Sequence, residues 1–152
     1  MKVLMVCLGN ICRSPLAEGI LKHKVRQNGL DWQVDSAGTG YWHVGEAPDP
    51  RSVEVADRHG IDISGQRARQ FEAADLDRYD LVLAMDSSNY RSILLKAATP
   101  EQEKKVHLIM NFLEPGRNVN VPDPYYGAGD GFENVYQMLD KACDKIVAKS
   151  WS

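Results

Sequence analysis

Strand-length apolar runs alternate with helical segments along this chain, and this alternation constrains the fold more than any other feature. Lys2–Cys7 (KVLMVC) is continuously apolar after its first residue, the pattern of a strand buried on both faces of a parallel sheet. Residues 81–85 (LVLAM) and 106–110 (VHLIM) repeat this pattern, and residues 32–36 (WQVDS) form a shorter candidate strand. Because parallel neighbours need crossover connections, helices are expected between the strands.

Helix signals follow these runs. From Pro15 onward, apolar side chains recur at helical spacing, with Ser14 as the predicted N-cap, Pro15 at the first helical position and Gly29 after the end. Asp49 and a following proline repeat this signature, and further helices are predicted over residues 87–97 and after residue 130. One face of the last helix is apolar and includes Cys143, which is therefore expected in the core. The chain is predicted to be a small doubly wound α/β sheet.

Length and charge narrow the function further. The 152 residues, 43% of them apolar, fit one domain spanning residues 1–152. A net charge of −3 without a basic cluster disfavours nucleic acid, and no apolar run has the length of a membrane span. Three cysteines are an odd number for a disulfide framework, so free thiols, a reducing compartment and a cytoplasmic location are expected.

The stretch CLGNICRSP joins the first strand to the first helix. A tight loop before a helix N-terminus directs backbone N–H groups inward and forms an anion site. Arg13 at its end stays cationic and can bind two phosphate oxygens through its planar fork. A tetrahedral oxyanion is the expected ligand, held by the residues of this loop: Leu8, Gly9, Asn10, Ile11, Cys12, Arg13 and Ser14.

Cys7 begins this loop, where the donors that favour an oxyanion also favour a thiolate. The Ser14 hydroxyl is expected to add a hydrogen bond to the sulfur. A thiolate in a phosphate cage is placed for attack on phosphorus, which forms a phosphocysteine. Such chemistry also needs a proton donor for the leaving group, and Asp123 between two prolines is the candidate. The alternatives are a structural Cys7 with Arg13 paired to a carboxylate, and an Asp123 that only forms a turn.

Five motifs in order, CLGNICRSP, DSAGT, YWHVGEAPDPR, MDSSN and DPYYG, make the chain resemble the low-molecular-weight protein tyrosine phosphatases over almost its full length. The resemblance implies four parallel strands with flanking helices and hydrolysis of phosphotyrosine without a metal or other cofactor. It implies that Cys7 is the nucleophile, Arg13 binds phosphate and Asp123 acts as general acid and then general base. Phosphotyrosine proteins are the implied partners, and phosphate-like oxyanions the implied inhibitors.

The resemblance also implies supporting roles. Ser14 matches the residue that supports the thiolate, and Asn10 and Ser36 match a hydrogen-bonded pair that holds the loop, although Ser36 could simply end its strand. Cys12 matches a redox partner for Cys7, with packing beneath the loop as the alternative. The implied walls of the substrate cleft, apolar enough to bury a phenyl ring, are Leu8, Trp42, His43, Tyr125 and Tyr126.

Three positions are less clear. His43 can equally be an exposed loop residue. Asp86 matches a family position, but the N-cap of the next helix is the preferred interpretation. Gln66 stands where many family members carry a histidine that supports the loop asparagine, so the support of Asn10 is in question.

The residues leave three other functions to compare with this one. A thioredoxin-coupled arsenate reductase would use the same loop but needs two further cysteines past mid-chain, where this chain has none before Cys143. A flavodoxin-like module would hold a flavin phosphate without chemistry, yet such loops are rich in hydroxyls rather than built around a thiol. A phosphocysteine carrier would leave Arg13 and Asp123 without a role.

Overall fold

A computed structural model describes residues 1–127 and 130–151, apart from the side chain of Tyr126. The strands are β1 (Lys2–Cys7), β2 (Gln33–Gly38), β3 (Leu81–Ala84) and β4 (Val106–Leu108). The α-helices are α1 (Arg13–Gln27), α2 (Pro50–Arg58), α3 (Asp75–Arg78), α4 (Ser87–Leu94), α5 (Pro100–Glu103) and α6 (Gly131–Ala148). Two short 3-10 helices span Ile109–Phe112 and Pro124–Tyr126.

The strands form one parallel sheet in the order β2-β1-β3-β4, which confirms the predicted doubly wound architecture. Alternate residues of the two central strands, β1 and β3, enter different cores. On β1, Val3 and Met5 join the core beneath α1, α2 and α6, whereas Leu4 and Val6 join the core beneath α3 and α4. Burial on both faces explains why β3, and β1 after Lys2, are uninterrupted apolar runs, whereas the edge strands β2 and β4 include polar residues.

The first helix begins earlier than predicted. It starts at Arg13 with Cys12 at the N-cap, so Ser14 lies inside the first turn and is not the cap. Its hydroxyl instead lies 3.0 Å from the Cys7 sulfur. Pro15 is still tolerated because the first backbone N–H groups of a helix have no partner within it.

Other element boundaries differ by a few residues. The second strand extends to Gly38, α4 ends at Leu94, and the chain after β4 tightens into a 3-10 helix at Ile109. The predicted caps Asp49 and Asp86 both accept backbone hydrogen bonds from their helices. Within the described ranges, no helix is both long and apolar enough to cross a bilayer.

Cys143 lies in the core, as its place on the apolar face of α6 predicts. Its side chain is fully buried against α1 and the sheet. Burial raises the pKa of this thiol well above its usual range, so the group stays protonated and unreactive at neutral pH.

We predict that Gly19→Ala destabilises the fold. A Cβ at this position of α1 would lie 2.5 Å from Cγ2 of Ile63, which is itself 1% exposed. Overpacking of about 1–3 kcal/mol should exceed the roughly 0.5–1 kcal/mol that alanine contributes in a helix. Urea denaturation should show a lower free energy of unfolding. Gly65→Ala, where nothing lies within 4 Å, is the control and should be neutral; equal stability of the two variants would contradict the prediction.

Candidate active site

A cavity of about 280 Å³ opens at the carboxyl end of β1. This is the edge of a parallel sheet where ligands bind in such folds. Residues from the first loop, the loop after β2 and the loop before α6 line it together: Cys7, Leu8, Gly9, Ile11, Cys12, Arg13, Trp42, His43, Asp123 and Tyr125.

The first loop curls around the Cys7 sulfur. The backbone N–H of Asn10 donates to this sulfur at 3.3 Å, and Ser14 Oγ lies 3.0 Å from it. Asn10 adopts the left-handed region, with φ 57°, a conformation that asparagine tolerates better than most residues. The loop also approaches β2 closely, because a Cβ on Gly38 would lie 2.8 Å from the Leu8 carbonyl oxygen. Cys7 is 3% exposed, so its sulfur is reached only through the cavity.

The side chain of Asn10 fixes the curled backbone from behind. Its Nδ2 donates to Ser14 Oγ at 2.8 Å and to Ser36 Oγ at 2.9 Å, and its Oδ1 accepts from the backbone N–H of Arg69 at 3.1 Å. All of these side-chain contacts lie behind the cavity wall. Three of the predicted site residues, Asn10, Ser14 and Ser36, therefore lie in one network that touches Cys7.

Arg13 is held at the back of the cavity. Its Nη1 donates to Asp86 Oδ2 at 2.6 Å and to the Val121 carbonyl at 3.0 Å, and its side chain is 3% exposed. Burial alone would lower the pKa of Arg13, but negative charge on Cys7 and the hydrogen bond to Asp86 outweigh it and raise the pKa. The Nη2 and Nε groups are not used by Asp86 or Val121 and can bind an oxyanion in the cavity.

Asp86 has two roles, of which sequence analysis identified one. Its Oδ1 accepts from the backbone N–H of Asn89 and caps α4, as predicted. Its Oδ2 carries the ion pair with Arg13, which lies 73 positions away in sequence. No local pattern marks this pairing, although a carboxylate directly after a central strand is a signal that could have found it.

Asp123 reaches the cavity because the loop before it is attached to β3. The Val121 N–H donates to the Met85 carbonyl at 2.8 Å, and Asn120 Oδ1 accepts from Ser87 at the start of α4. Asp123 Oδ1 then accepts from the Tyr125 N–H, whereas Oδ2 lies 3.7 Å from Arg13 Nη2. The carboxyl group forms a turn, and its second oxygen remains directed toward Arg13.

Aromatic and apolar side chains surround the cavity mouth. Leu8 is 43% exposed, Trp42 62% and Tyr125 40%. Trp42 lies across the backbone of Gly40, where a Cβ would come within 1.9 Å of its ring. His43 lines the cavity while its Nδ1 contacts Glu46 at 2.9 Å, so both interpretations of this residue hold in part. The predicted wall residue Tyr126 lies outside the described side chains.

Arg51 supports the cavity wall from behind, and sequence analysis missed it. Its guanidinium makes a forked ion pair with Asp49, at 3.0 and 2.9 Å, and lies over the rings of Tyr125 and Phe132 at 5.4 and 4.7 Å. This arrangement connects α2 to the cavity wall and to α6. The position of this arginine, directly after the Asp-Pro cap, was a signal for its ion pair with Asp49. No local pattern could indicate the two rings, because both lie over 70 positions away in the sequence.

Cys12 and Gln66 are the remaining positions that the sequence singled out. Cys12 lines the same cavity as Cys7, and both thiols are free. Burial, and then the neighbouring Asp49 charge, raise the pKa of Cys12 to about 12.

Gln66 donates to the Pro15 carbonyl at 3.1 Å and is not among the hydrogen-bond partners of Asn10. Across residues 1–127 and 130–151, no cluster of His, Cys, Asp and Glu is suited to hold a metal ion.

Comparison with known proteins agrees with this geometry. The profile of the family described as low molecular weight phosphotyrosine protein phosphatase matches residues 2–150. The enzyme of that name from Schizosaccharomyces pombe is 44% identical over 144 residues, which are 91% of this chain and 90% of the relative.

Two solved structures share the fold. YfkJ from Bacillus subtilis superposes with a TM-score of 0.90 at 38% identity, covering 97% of this chain and 92% of that one. The Drosophila arginine phosphatase superposes with a TM-score of 0.91 at 36% identity over the full length of both chains. Because the family profile and the relatives match almost the whole chain, the chain belongs to the low molecular weight phosphotyrosine protein phosphatase family.

Proposed function

We propose that this protein is a phosphotyrosine protein phosphatase that hydrolyses phosphate monoesters through a phosphocysteine on Cys7. The observation that carries the proposal is the convergence of Cys7, Arg13 and Asp123 on one cavity. A sulfur with two hydrogen-bond donors, a fixed guanidinium and a carboxyl group are the three components that this displacement requires. Family membership supports the same mechanism.

In the first step, the Cys7 thiolate attacks phosphorus and the bond from phosphorus to the ester oxygen breaks. The phosphoryl oxygens lie against the loop N–H groups and the free donors of Arg13, which stabilise the charge of the transition state. Asp123 gives its proton to the leaving oxygen. Because Asp123 Oδ1 is engaged by Tyr125, Oδ2 is the oxygen that carries this proton.

In the second step, water attacks the phosphorus of the phosphocysteine. Asp123, now ionised, accepts the proton of the water, the phosphorus–sulfur bond breaks, and the thiolate and inorganic phosphate are released. Ser14, whose Oγ lies 3.0 Å from the sulfur, stabilises the thiolate as a leaving group.

The walls of the cavity favour an aromatic ester. Leu8, Trp42 and Tyr125 offer apolar and ring surfaces against which a phenyl group is buried while its phosphate reaches the loop.

One structural neighbour is an arginine phosphatase, so phosphoarginine is the second candidate substrate. We expect a higher kcat/KM for a phosphotyrosine peptide than for a peptide that carries phosphoarginine at the same position and is otherwise identical. A higher kcat/KM for the phosphoarginine peptide would make phosphoarginine the substrate.

The proposal extends to partners and location. The substrates are phosphotyrosine-containing proteins, phosphate-like oxyanions compete for the loop, and no nucleic acid or membrane insertion is involved. Residues 1–152 act as one phosphatase domain in the cytoplasm, where a reducing environment keeps Cys7 active. The free thiols at the site support this location.

We predict that Cys7→Ser abolishes turnover while phosphate still binds. An alcohol is a poor nucleophile at pH 7, but the loop N–H groups and Arg13 remain, so kcat should fall by at least about 10³-fold. The dissociation constant for inorganic phosphate, measured by calorimetry, should stay within about threefold. Turnover within about tenfold of the parent would remove Cys7 from the mechanism.

Asp123→Asn should slow the reaction most when the leaving group needs a proton. With a phosphotyrosine peptide the expected loss in the cleavage step is on the order of 10² to 10⁴. With an acidic nitrophenol ester, pre-steady-state kinetics should show a much smaller loss. Asp31→Asn removes an exposed carboxylate between α1 and β2 and serves as the control. Equal losses for both leaving groups would mean that Asp123 only shapes its loop.

Cys12 is predicted to protect Cys7 from peroxide. Peroxide converts Cys7 to a sulfenic acid, which condenses with the Cys12 thiol to form a disulfide and water; dithiothreitol should then restore activity. In Cys12→Ser, further oxidation should make the loss irreversible. Because the pKa of Cys12 is raised to about 12, its thiolate fraction and the rate of disulfide closure should increase between pH 6 and pH 8. Equal recovery in the variant, with no linked peptide by mass spectrometry, would leave Cys12 a packing residue.

A further inference from the structure

Glu18 is a buried carboxylate that the phosphatase mechanism does not use. It lies on α1, is 6% exposed, and its Oε1 accepts from Ser36 Oγ at 2.7 Å. Its Oε2 accepts from Lys22 Nζ, also at 2.7 Å, one turn further along the helix. A buried charge destabilises the fold unless it is paired and hydrogen-bonded. The contacts with Lys22 and Ser36 are therefore what allow a carboxylate to be buried at this position.

The amide of Asn10 makes the hydrogen bonds in this region directional. Its Oδ1 accepts from the Arg69 N–H, which fixes the orientation of the amide, and its Nδ2 faces two serine oxygens. An amide nitrogen only donates, so Ser36 Oγ must accept from Asn10. The hydrogen of Ser36 then needs an acceptor elsewhere, and Glu18 Oε1 is in that position.

The hydrogen bonds at the Cys7 end of the network are directional as well. Ser14 Oγ accepts from Asn10 Nδ2, so its own hydrogen is available to the Cys7 sulfur at 3.0 Å. We propose that Glu18 and Lys22 are positioning residues: the carboxylate accepts the Ser36 hydrogen and so holds Ser36 Oγ in place as an acceptor for Asn10. The Asn10 amide, kept in position, then orients Ser14 toward the sulfur. The role assigned to the sulfur rests on the proposed function.

This arrangement also answers how Asn10 is supported without a histidine at position 66. Gln66 donates to the Pro15 carbonyl, and its buried Oε1 has no hydrogen-bond partner among residues 1–127 and 130–151. Both hydrogens of Asn10 Nδ2 are already used by serine hydroxyls. The support comes from the opposite side of Ser36, where Lys22 provides the positive charge that balances Glu18.

The test compares Glu18→Ala with Glu18→Gln. Glutamine keeps an oxygen acceptor for Ser36 without the charge, whereas alanine leaves the Ser36 hydrogen unpaired. The first readout is the rate of Cys7 alkylation by iodoacetamide between pH 5 and pH 8, with peptide mapping to separate the three cysteines. In the alanine variant the rate at pH 6 should fall about fivefold, the effect of one hydrogen bond, and in the glutamine variant it should stay within about twofold. Glu54→Ala removes an exposed carboxylate from α2 and is the charge-matched control.

Turnover gives the second readout. On a phosphotyrosine peptide, Glu18→Ala should lower kcat about tenfold with little change in KM, because the loop still binds phosphate but orients the sulfur less well. Lys22→Met should lower kcat by less than about threefold, since Lys22 is 43% exposed and solvent screens its charge. Ser36→Ala should match Glu18→Ala, and the double variant should be no worse than either single one.

Two results would overturn the proposal. If Glu18 acted only as a nearby negative charge, both of its variants would stabilise the thiolate and alkylate faster than the parent. If it acted only in folding, thermal unfolding would shift while alkylation of the folded fraction stayed unchanged. Should Glu18→Ala fail to fold, Ser36→Ala and Glu18→Gln decide the question by the same readouts. Alkylation is measured without turnover, so a failure of the proposed function, seen as an active Cys7→Ser, is a separate result.

Discussion

Burial of the Arg13 guanidinium is the interaction on which the geometry of the site depends. A cation that is 3% exposed is stable only if fixed partners replace its water. Asp86, which follows β3, and the Val121 carbonyl, which precedes Asp123, supply these partners. The phosphate loop, which joins β1 to α1, is therefore held to the end of β3 and to the loop that carries Asp123 by one side chain. The Nε and Nη2 groups of that side chain remain for a ligand, so the contacts that stabilise the fold also orient the site.

The order of the strands gives the phosphate loop supports on both of its sides. With the order β2-β1-β3-β4, the loop after β1 has the carboxyl ends of β2 and β3 on either side. On the β3 side, the Asp86 carboxylate balances the charge of Arg13. On the β2 side, the Ser36 hydroxyl accepts a hydrogen bond from Asn10 and so holds the loop backbone, which is in the left-handed region at Asn10, in its curled shape. A loop at the edge of the sheet would have only one of these supports.

Sequence reasoning predicted what local patterns encode. The four strands, the helices α1, α2, α4 and α6, and the caps Asp49 and Asp86 follow from apolar runs and cap-then-helix signatures, and the motif with Cys7 marks the position of the site. The one-turn helices α3 and α5 were not predicted, because four residues are too few to show a helical period. The predicted start of α1 was wrong because the Ser14 hydroxyl was given two roles, as the helix N-cap and as a hydrogen-bond partner of Cys7, and in the structure it is not the cap but the partner of Cys7. The partners of Arg13 and the stacking of Arg51 join residues over 70 positions apart, and such pairs depend on strand order and loop path.

Helix α2 supports the loop from a third direction. The N–H of Asp49 donates to the Ile11 carbonyl at 2.8 Å, and the Ser52 hydroxyl donates to the Cys12 carbonyl at 3.3 Å. The Asp49 side chain in turn holds Arg51, whose guanidinium lies over the Tyr125 ring. One helix start thus binds the backbone of the phosphate loop and positions a wall of the cleft. The backbone of Asp49 holds the loop and its carboxylate holds Arg51. The position of the Tyr125 wall and the position of the loop are therefore coupled through one residue, and with them the depth at which an aromatic ring is held and the place at which its phosphate meets the loop.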